Sequence, residues 1–251
     1  MKRIFWAGLM ALIFSPAAAW AEGRAFAFIY EAGPSEPGSV EMENFVTFKT
    51  GRDGQRFSQV DFRHEFEFGL TKQLQLSVYV ADWNYHSGLP DRSDGFAYSA
   101  TAVEAIYNFT NPATDVLGFS IYQEIKGGDA LFESESKIIL QKNFGRLITT
   151  YNATLEATWE GNALRERAGE LQQAFGLSYE LTHSLSVGME MLHEVVFPDW
   201  ATDRAVHNFF VGPNVAVHYG EWFTTVAVLA QATQTMAEPD VQVRTVFGFE
   251  F

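Results

Sequence analysis

The stretch LITTYNATLEATWE, residues 147–160, decides how the rest of the chain is read. Leu147, Thr149, Tyr151, Ala153, Leu155, Ala157 and Trp159 share one parity. Ile148, Thr150, Asn152, Thr154, Glu156, Thr158 and Glu160 share the other. Alternation with a period of two is the pattern of a β-strand with unlike faces, and here it runs about twice the length of a typical strand of ~5–6 residues. VDFRHEFEFGL, residues 60–70, repeats it, with Val60, Phe62, Phe66, Phe68 and Leu70 opposite Asp61, Arg63, Glu65 and Glu67.

Working outward, comparable stretches fall at 40–50, 56–70, 73–83, 95–109, 114–125, 132–143, 146–160, 168–181, 184–195, 205–219, 222–233 and 241–251. Short turns (LTKQL, NFGRL, LTHSL, HYGEW) alternate along the chain with longer polar segments (ADWNYHSGLPDRSDGF, WEGNALRERAGE, HEVVFPDWATDRAV, QATQTMAEPD). Long dyad strands with tight turns at one end and loops at the other predict an all-β, transmembrane, antiparallel up-and-down β-barrel of about twelve strands in a bacterial outer membrane. The aromatics Tyr107, Phe109, Phe144, Tyr179, Tyr219, Trp222 and Phe251 gather at the tight-turn end, where an interfacial girdle facing lipid is expected. A secreted soluble barrel or sandwich also alternates, with the apolar face turned inward. Strand length and the aromatic grouping favour the inverted arrangement.

The last residues, VQVRTVFGFEF, end on an aromatic. The final strand is expected to pair with the first, because an open sheet edge in hydrocarbon leaves backbone groups unsatisfied. Phe247, Phe249 and Phe251 resemble the C-terminal signal by which Gram-negative bacteria deliver barrels to their assembly machinery. Outer-membrane lipids and that machinery are the expected partners.

At the other end, Lys2 and Arg3, an apolar run from Ile4 to Phe14, a Ser-Pro break and small residues around Trp20 read as a signal peptide over residues 1–21. Removing it takes away two bases and no acid, so the net charge goes from −14 to −16. A chain this acidic is a poor partner for nucleic acid. It has no cysteine, so packing and backbone hydrogen bonds must hold it together. No run after residue 21 is apolar and long enough for a membrane helix.

Residues 22–39, EGRAFAFIYEAGPSEPGS, precede the barrel proper at 40–251. Three placements are open: a periplasmic extension, a plug folded into the lumen, or an extra strand-like segment. YEAGPSEPGSVEMEN running into FKTGRDG resembles the opening of uncharacterised Gram-negative outer-membrane barrels, some described as transporters. The likeness rests on Tyr30, Glu31, Pro37, Gly38, Glu41, Glu43 and Lys49 to Gly51, and carries no functional residues with it.

Catalytic and metal motifs are sparse. None of His64, His86, His183, His193, His207 and His218 has Ser or Thr two residues away, so the local arrangement of a lipid-modifying hydrolase is missing. No histidine has a second ligand at metal-binding spacing, and neither metal nor cofactor is expected. Glu133 and Glu135, in ALFESESK, read as hydrated loop carboxylates. His64 on an apolar parity, Asn44, Pro213 and KIILQK mark places where the register is ambiguous, and a bulge near Pro213 would be unremarkable.

The polar parity is more informative. It collects Glu41, Glu43, Asp61, Glu65, Glu67, Glu104, Glu124, Glu156, Glu160, Glu170, Glu180, Glu190, Glu194 and Glu250 against Lys49, Arg63, Lys137 and Arg244. An acidic lumen attracts cations. The expected function is a narrow passive pore or solute transporter for small cationic or neutral solutes. Its selectivity residues would be Asp61, Arg63, Glu65, Glu67, Glu156, Glu190 and Arg244. The alternative is a plugged barrel that binds partners through long outer loops, Trp83–Phe96 and Val195–Ala205.

Overall fold

The computed structural model describes residues 23–52, 55–88, 94–236 and 238–251. Twelve strands follow in order: β1 Val40–Arg52, β2 Gln55–Gly69, β3 Leu74–Ser87, β4 Gly95–Thr110, β5 Gly118–Gly128, β6 Leu131–Phe144, β7 Leu147–Glu160, β8 Glu166–Thr182, β9 Leu185–Pro198, β10 Val206–Tyr219, β11 Trp222–Gln231 and β12 Val241–Glu250. Each pairs antiparallel with its sequence neighbours, and β12 closes onto β1. The seam runs from Glu41 opposite Glu250 to Thr50 opposite Val241, and the Phe251 N–H donates to Val40 O at 2.9 Å. The terminal aromatic is held because closure leaves no free edge.

Side-chain orientation follows the period of two. On β4, Val103 is 55% exposed while its neighbour Glu104 is 1% exposed. Val78, Ile121, Ile138, Leu155, Leu177, Met189, Val215 and Val228 continue an apolar exterior around the barrel, whereas Glu43, Glu65, Glu124, Asn152 and Glu190 are buried inside. An apolar face of that extent has no stable place in water, so the barrel is a transmembrane one with lipid outside. The aromatics lie at its borders. Tyr107, Phe109, Tyr179, Tyr219 and Trp222 are exposed near the end that carries both Val40 and Phe251, and Trp222 packs on Phe247 and Phe249 at 5.1 and 4.3 Å. A second set, Trp83 with Tyr98 and Phe132 with Trp159, occupies the opposite end.

Several expectations need correction. The long outer loops are shorter than expected, because strand takes up part of each: β3 continues to Ser87, β4 begins at Gly95, and β9 runs on through Pro198. The reason on β3 is a bulge. His64 pairs with Ala81 but Glu65 pairs with Tyr79, so Val80 is extra and the parity reverses beyond it. That reversal hides the alternation in ADWNYHS and aims Asp82 and His86 inward. Glu133 and Glu135 stand on β6, where they meet Lys126 and Lys137, and are not loop carboxylates. Near Pro213 there is no bulge. β10 keeps the same register to β11 on either side of Gly212 and Pro213, and Pro213 faces outward. Asn44 and His64 also face outward and satisfy each other, His64 Nδ1 to Asn44 Oδ1 at 2.8 Å.

Candidate functional site

Residues 23–36 occupy the barrel interior. The segment starts against Phe223 and His218 at the rim of the tight turns, which in an outer-membrane barrel is the periplasmic rim, reaches its innermost point at Phe28, and returns to Gly69 at the same rim before β1 begins. It has no strand partner, so its backbone must be satisfied by wall side chains. Glu190 accepts the N–H groups of Ala27 and Phe28 at 2.8 and 2.7 Å. Asn152 both accepts from Tyr30 N and donates to Tyr30 O, Gln141 accepts from Ala32 N, and Asn214 donates to Ala25 O. This is a plug stitched to the wall.

Its apolar side chains explain the apolar residues that break the polar parity. Ala25, Phe26 and Ile29 pack on Ile148, Ala174, Leu192, Phe210 and Leu229. Ala27 packs among Phe45, Tyr79, Ala102, Phe223, Ala227 and Val246, and Ala32 among Ile106, Tyr122 and Ile139. Gly176 on β8 permits the close approach, since a Cβ there would lie 2.5 Å from Phe26 Cε1.

Charge anchors the segment as well. Arg24 pairs with Glu43 at 2.6 Å and lies over the rings of Tyr30 and Phe45. Glu43 is 2% exposed, and a buried pair of this kind is costly to break from one side. Tyr30 and Tyr79 share a hydroxyl contact at 3.0 Å and both reach Glu104 Oε2. Glu31, on the plug and outside every membrane-spanning strand, accepts the Ala25 N–H at 2.7 Å. Burial pushes its carboxyl up to about 7, with that hydrogen bond and Arg24 pulling the other way.

The inward carboxylates form a staircase. Cross-strand partners run Glu250–Glu41–Glu67–Ser77–Glu104–Glu124–Glu135–Glu156–Glu170, passing through every strand from β12 and β1 to β8. Because strands in a closed barrel tilt by roughly 35–45°, a line along the hydrogen-bond direction climbs. This one rises from the periplasmic rim at Glu250 to Glu170, which lines a cavity of about 360 Å³ in the outer half. Like charges directly opposite repel, so the line needs cations. Arg63 serves Asp82 at 3.2 Å and Glu124 at 3.0 Å while stacking over Tyr79. Lys126 serves Glu133 at 2.5 Å and Glu124 at 3.7 Å, and Lys137 serves Glu135 at 2.9 Å.

The residues singled out in the sequence therefore separate. Arg63, Glu67 and Glu156 lie on or beside the staircase. Glu65 is buried under the plug across from Glu43, with its Oε2 unbonded among the described residues. Asp61 pairs with Lys49 at 2.9 Å, and Glu190 is the main anchor of the plug. Arg244 donates to Thr47 Oγ1 and lies over the Phe28 ring at 4.1 Å, at the floor of the outer cavity. Sequence reasoning missed Arg24, Asp82 and Lys126. The missed signal was the set of apolar residues at lumen parity, Ile106, Ile139, Ile148, Leu192, Phe210 and Leu229, which in a polar lumen require an occupant.

The histidines are not all isolated. His193 and His207, on adjacent strands, stack with Nε2 and Nδ1 3.2 Å apart. Among the described residues, no group of three or more potential metal ligands occurs.

A closed twelve-stranded barrel with an apolar exterior and a charged interior is an outer-membrane β-barrel. Residues 18–237 match the model of a family of unknown function, DUF6662, and the chain belongs to that family. A comparison with curated protein sequences finds no significant match. Among solved structures the chain is similar to an outer-membrane channel from Pseudomonas putida F1, with TM-score 0.64 and 12% identity over 88% of this chain and 98% of that one. It is also similar to the NanC porin, with TM-score 0.57 and 8% identity over 84% and 98%. The translocator domain of the autotransporter NalP from Neisseria meningitidis gives TM-score 0.51 and 12% identity over 86% and 90%. At such identities the likeness is one of fold, and function must be argued from the lumen.

Proposed function

We propose that the protein is a narrow outer-membrane channel closed at rest by its own N-terminal segment, which opens when residues 23–36 withdraw toward the periplasm. The observation that carries this reading is the way the plug is held. It enters and leaves by the same rim, and its backbone rests on separate side-chain contacts that can be released without breaking any strand pairing. Withdrawal removes Arg24 from Glu43 and uncovers Glu43, Glu65, Glu104 and Glu190, leaving a strongly electronegative passage. Such a passage favours small cationic or neutral solutes over anions. The channel function of two of the similar structures supports the reading by analogy of fold. Lipids contact the outward face, and Phe247, Phe249 and Phe251, on the outward parity of the closing strand, are the feature we assign to the assembly machinery. No catalytic role is proposed.

Planar-bilayer recording with a KCl gradient tests it. The full mature chain is expected to be mostly closed. A chain lacking residues 23–36 should conduct steadily, with a reversal potential on the cation side. A deletion variant that folds and inserts but passes no current would make the barrel a plugged scaffold, and anion selectivity would remove the role given to the carboxylates.

A further inference from the structure

The outer cavity above the plug tip has charged walls of opposite sign. Arg244 on β12 and Arg52 at the end of β1 face it, and among the described residues neither has a carboxylate within 4.0 Å. Arg244 spends Nε on Thr47, and its guanidinium covers Phe28. Lys49 beside them is already taken by Asp61. Across the cavity stand Glu170 on β8 and Glu194 on β9, while Glu238, from the segment joining β11 to β12, stands on the arginine side, where Asp240 of the same segment donates its N–H to Gly51 O at 2.8 Å. None of the three forms an ion pair among the described residues, and Glu194 has only a 3.3 Å hydrogen bond from Gln172. Glu170 is further pressed by Glu156, its direct cross-strand partner. Between the walls lie Gln59, Gln172 and Gln242, amides able to donate and accept.

The separation is the informative part. Free side chains of opposite sign within reach of each other would pair, and here the cavity holds them apart. A solute carrying a cation at one end and a carboxylate at the other satisfies both walls at once, whereas a simple cation or anion satisfies one and is repelled by the other. The volume of about 360 Å³ falls within the ~300–1,000 Å³ range of small-ligand pockets.

Resting on the channel reading above, we propose that this vestibule binds small zwitterions with separated end charges, of the short-peptide or ω-amino-acid class. The carboxylate lies against Arg52 and Arg244, and the ammonium against Glu170 and Glu194. Phe28 forms part of the floor, so a bound solute rests directly on the tip of the plug.

Calorimetric titration of the detergent-solubilised full chain with triglycine, N-acetyltriglycine and triglycinamide tests the proposal. Triglycine should bind, and masking either end should weaken binding by about tenfold or more, the equivalent of ~1.4 kcal/mol. Arg52→Gln should remove the advantage of triglycine over the amide and leave its advantage over the N-acetyl form. Glu194→Gln should do the reverse. Both variants should keep the parent's strand content by circular dichroism. Equal binding of the three peptides, no binding of any, or variants that leave the ratios unchanged would overturn the assignment. A channel that conducts after plug deletion but ignores triglycine loses only the vestibule, whereas a barrel that binds triglycine and never conducts loses only the channel.

Discussion

Glu190 sets the energetics of the plug at the scale of one residue. Its two oxygens take two consecutive backbone N–H groups and the Asn214 amide, an arrangement only a carboxylate can satisfy. Glu190→Gln keeps the shape and turns an N–H₂ toward one of those donors. Weakening charged hydrogen bonds by about 2 kcal/mol shifts the docking equilibrium by roughly thirtyfold, so open probability in single-channel records should rise by about that factor. Glu31 adds a pH dependence whose sign follows from its environment. A carboxyl held near 7 when docked, and at the ordinary value of about 4.3 when withdrawn, binds its proton more tightly in the docked state. Docking is therefore strongest in acid, weakens as pH rises from about 4.3 to 7, and levels off above that. The difference in open probability between the parent and Glu31→Gln should grow over that interval, because the variant cannot ionise there. A constant difference across it would show that Glu31 does not contribute.

Among the elements, the strands and the plug obey different rules. Each strand is legible because lipid and lumen impose a period of two, and every expected strand overlaps an observed one to within a few residues. On β3 the expected end fell short because one extra residue at Val80 reverses the parity and makes strand look like loop. The plug has no periodicity to betray it, because its backbone bonds go to side chains scattered from β4 to β11. Its fit is tightest at Gly176. Gly176→Val forces Phe26 and Ile29 away, at a cost of about 1–3 kcal/mol for overpacking. Limited proteolysis should then cut residues 23–36 faster while the barrel stays intact. Unchanged protection would place the stability of the plug elsewhere.

For the whole molecule, the decisive property is which face looks at lipid. Val103, half-exposed at the middle of β4, is the place to ask. Val103→Arg should cost about 2–4 kcal/mol in unfolding from lipid vesicles, whereas a water-facing site would tolerate it almost without penalty. The staircase is also a property of the whole. No strand contains more than a part of it, and it exists only because closure and tilt bring Glu250, Glu41, Glu67, Glu104, Glu124, Glu135, Glu156 and Glu170 into one climbing line.

By itself the sequence determined the barrel, its strand number, the closing role of β12 and the inward placement of the carboxylates. All of these follow from local alternation and from the requirement that no backbone edge be left open in hydrocarbon. Only the tertiary structure decided that residues 23–36 fill the lumen, that Glu190 holds them, and that opposite charges face each other across the outer cavity. Those contacts join residues as far apart as Ala27 and Glu190, and no periodicity along the chain encodes which distant side chain a free backbone N–H will find.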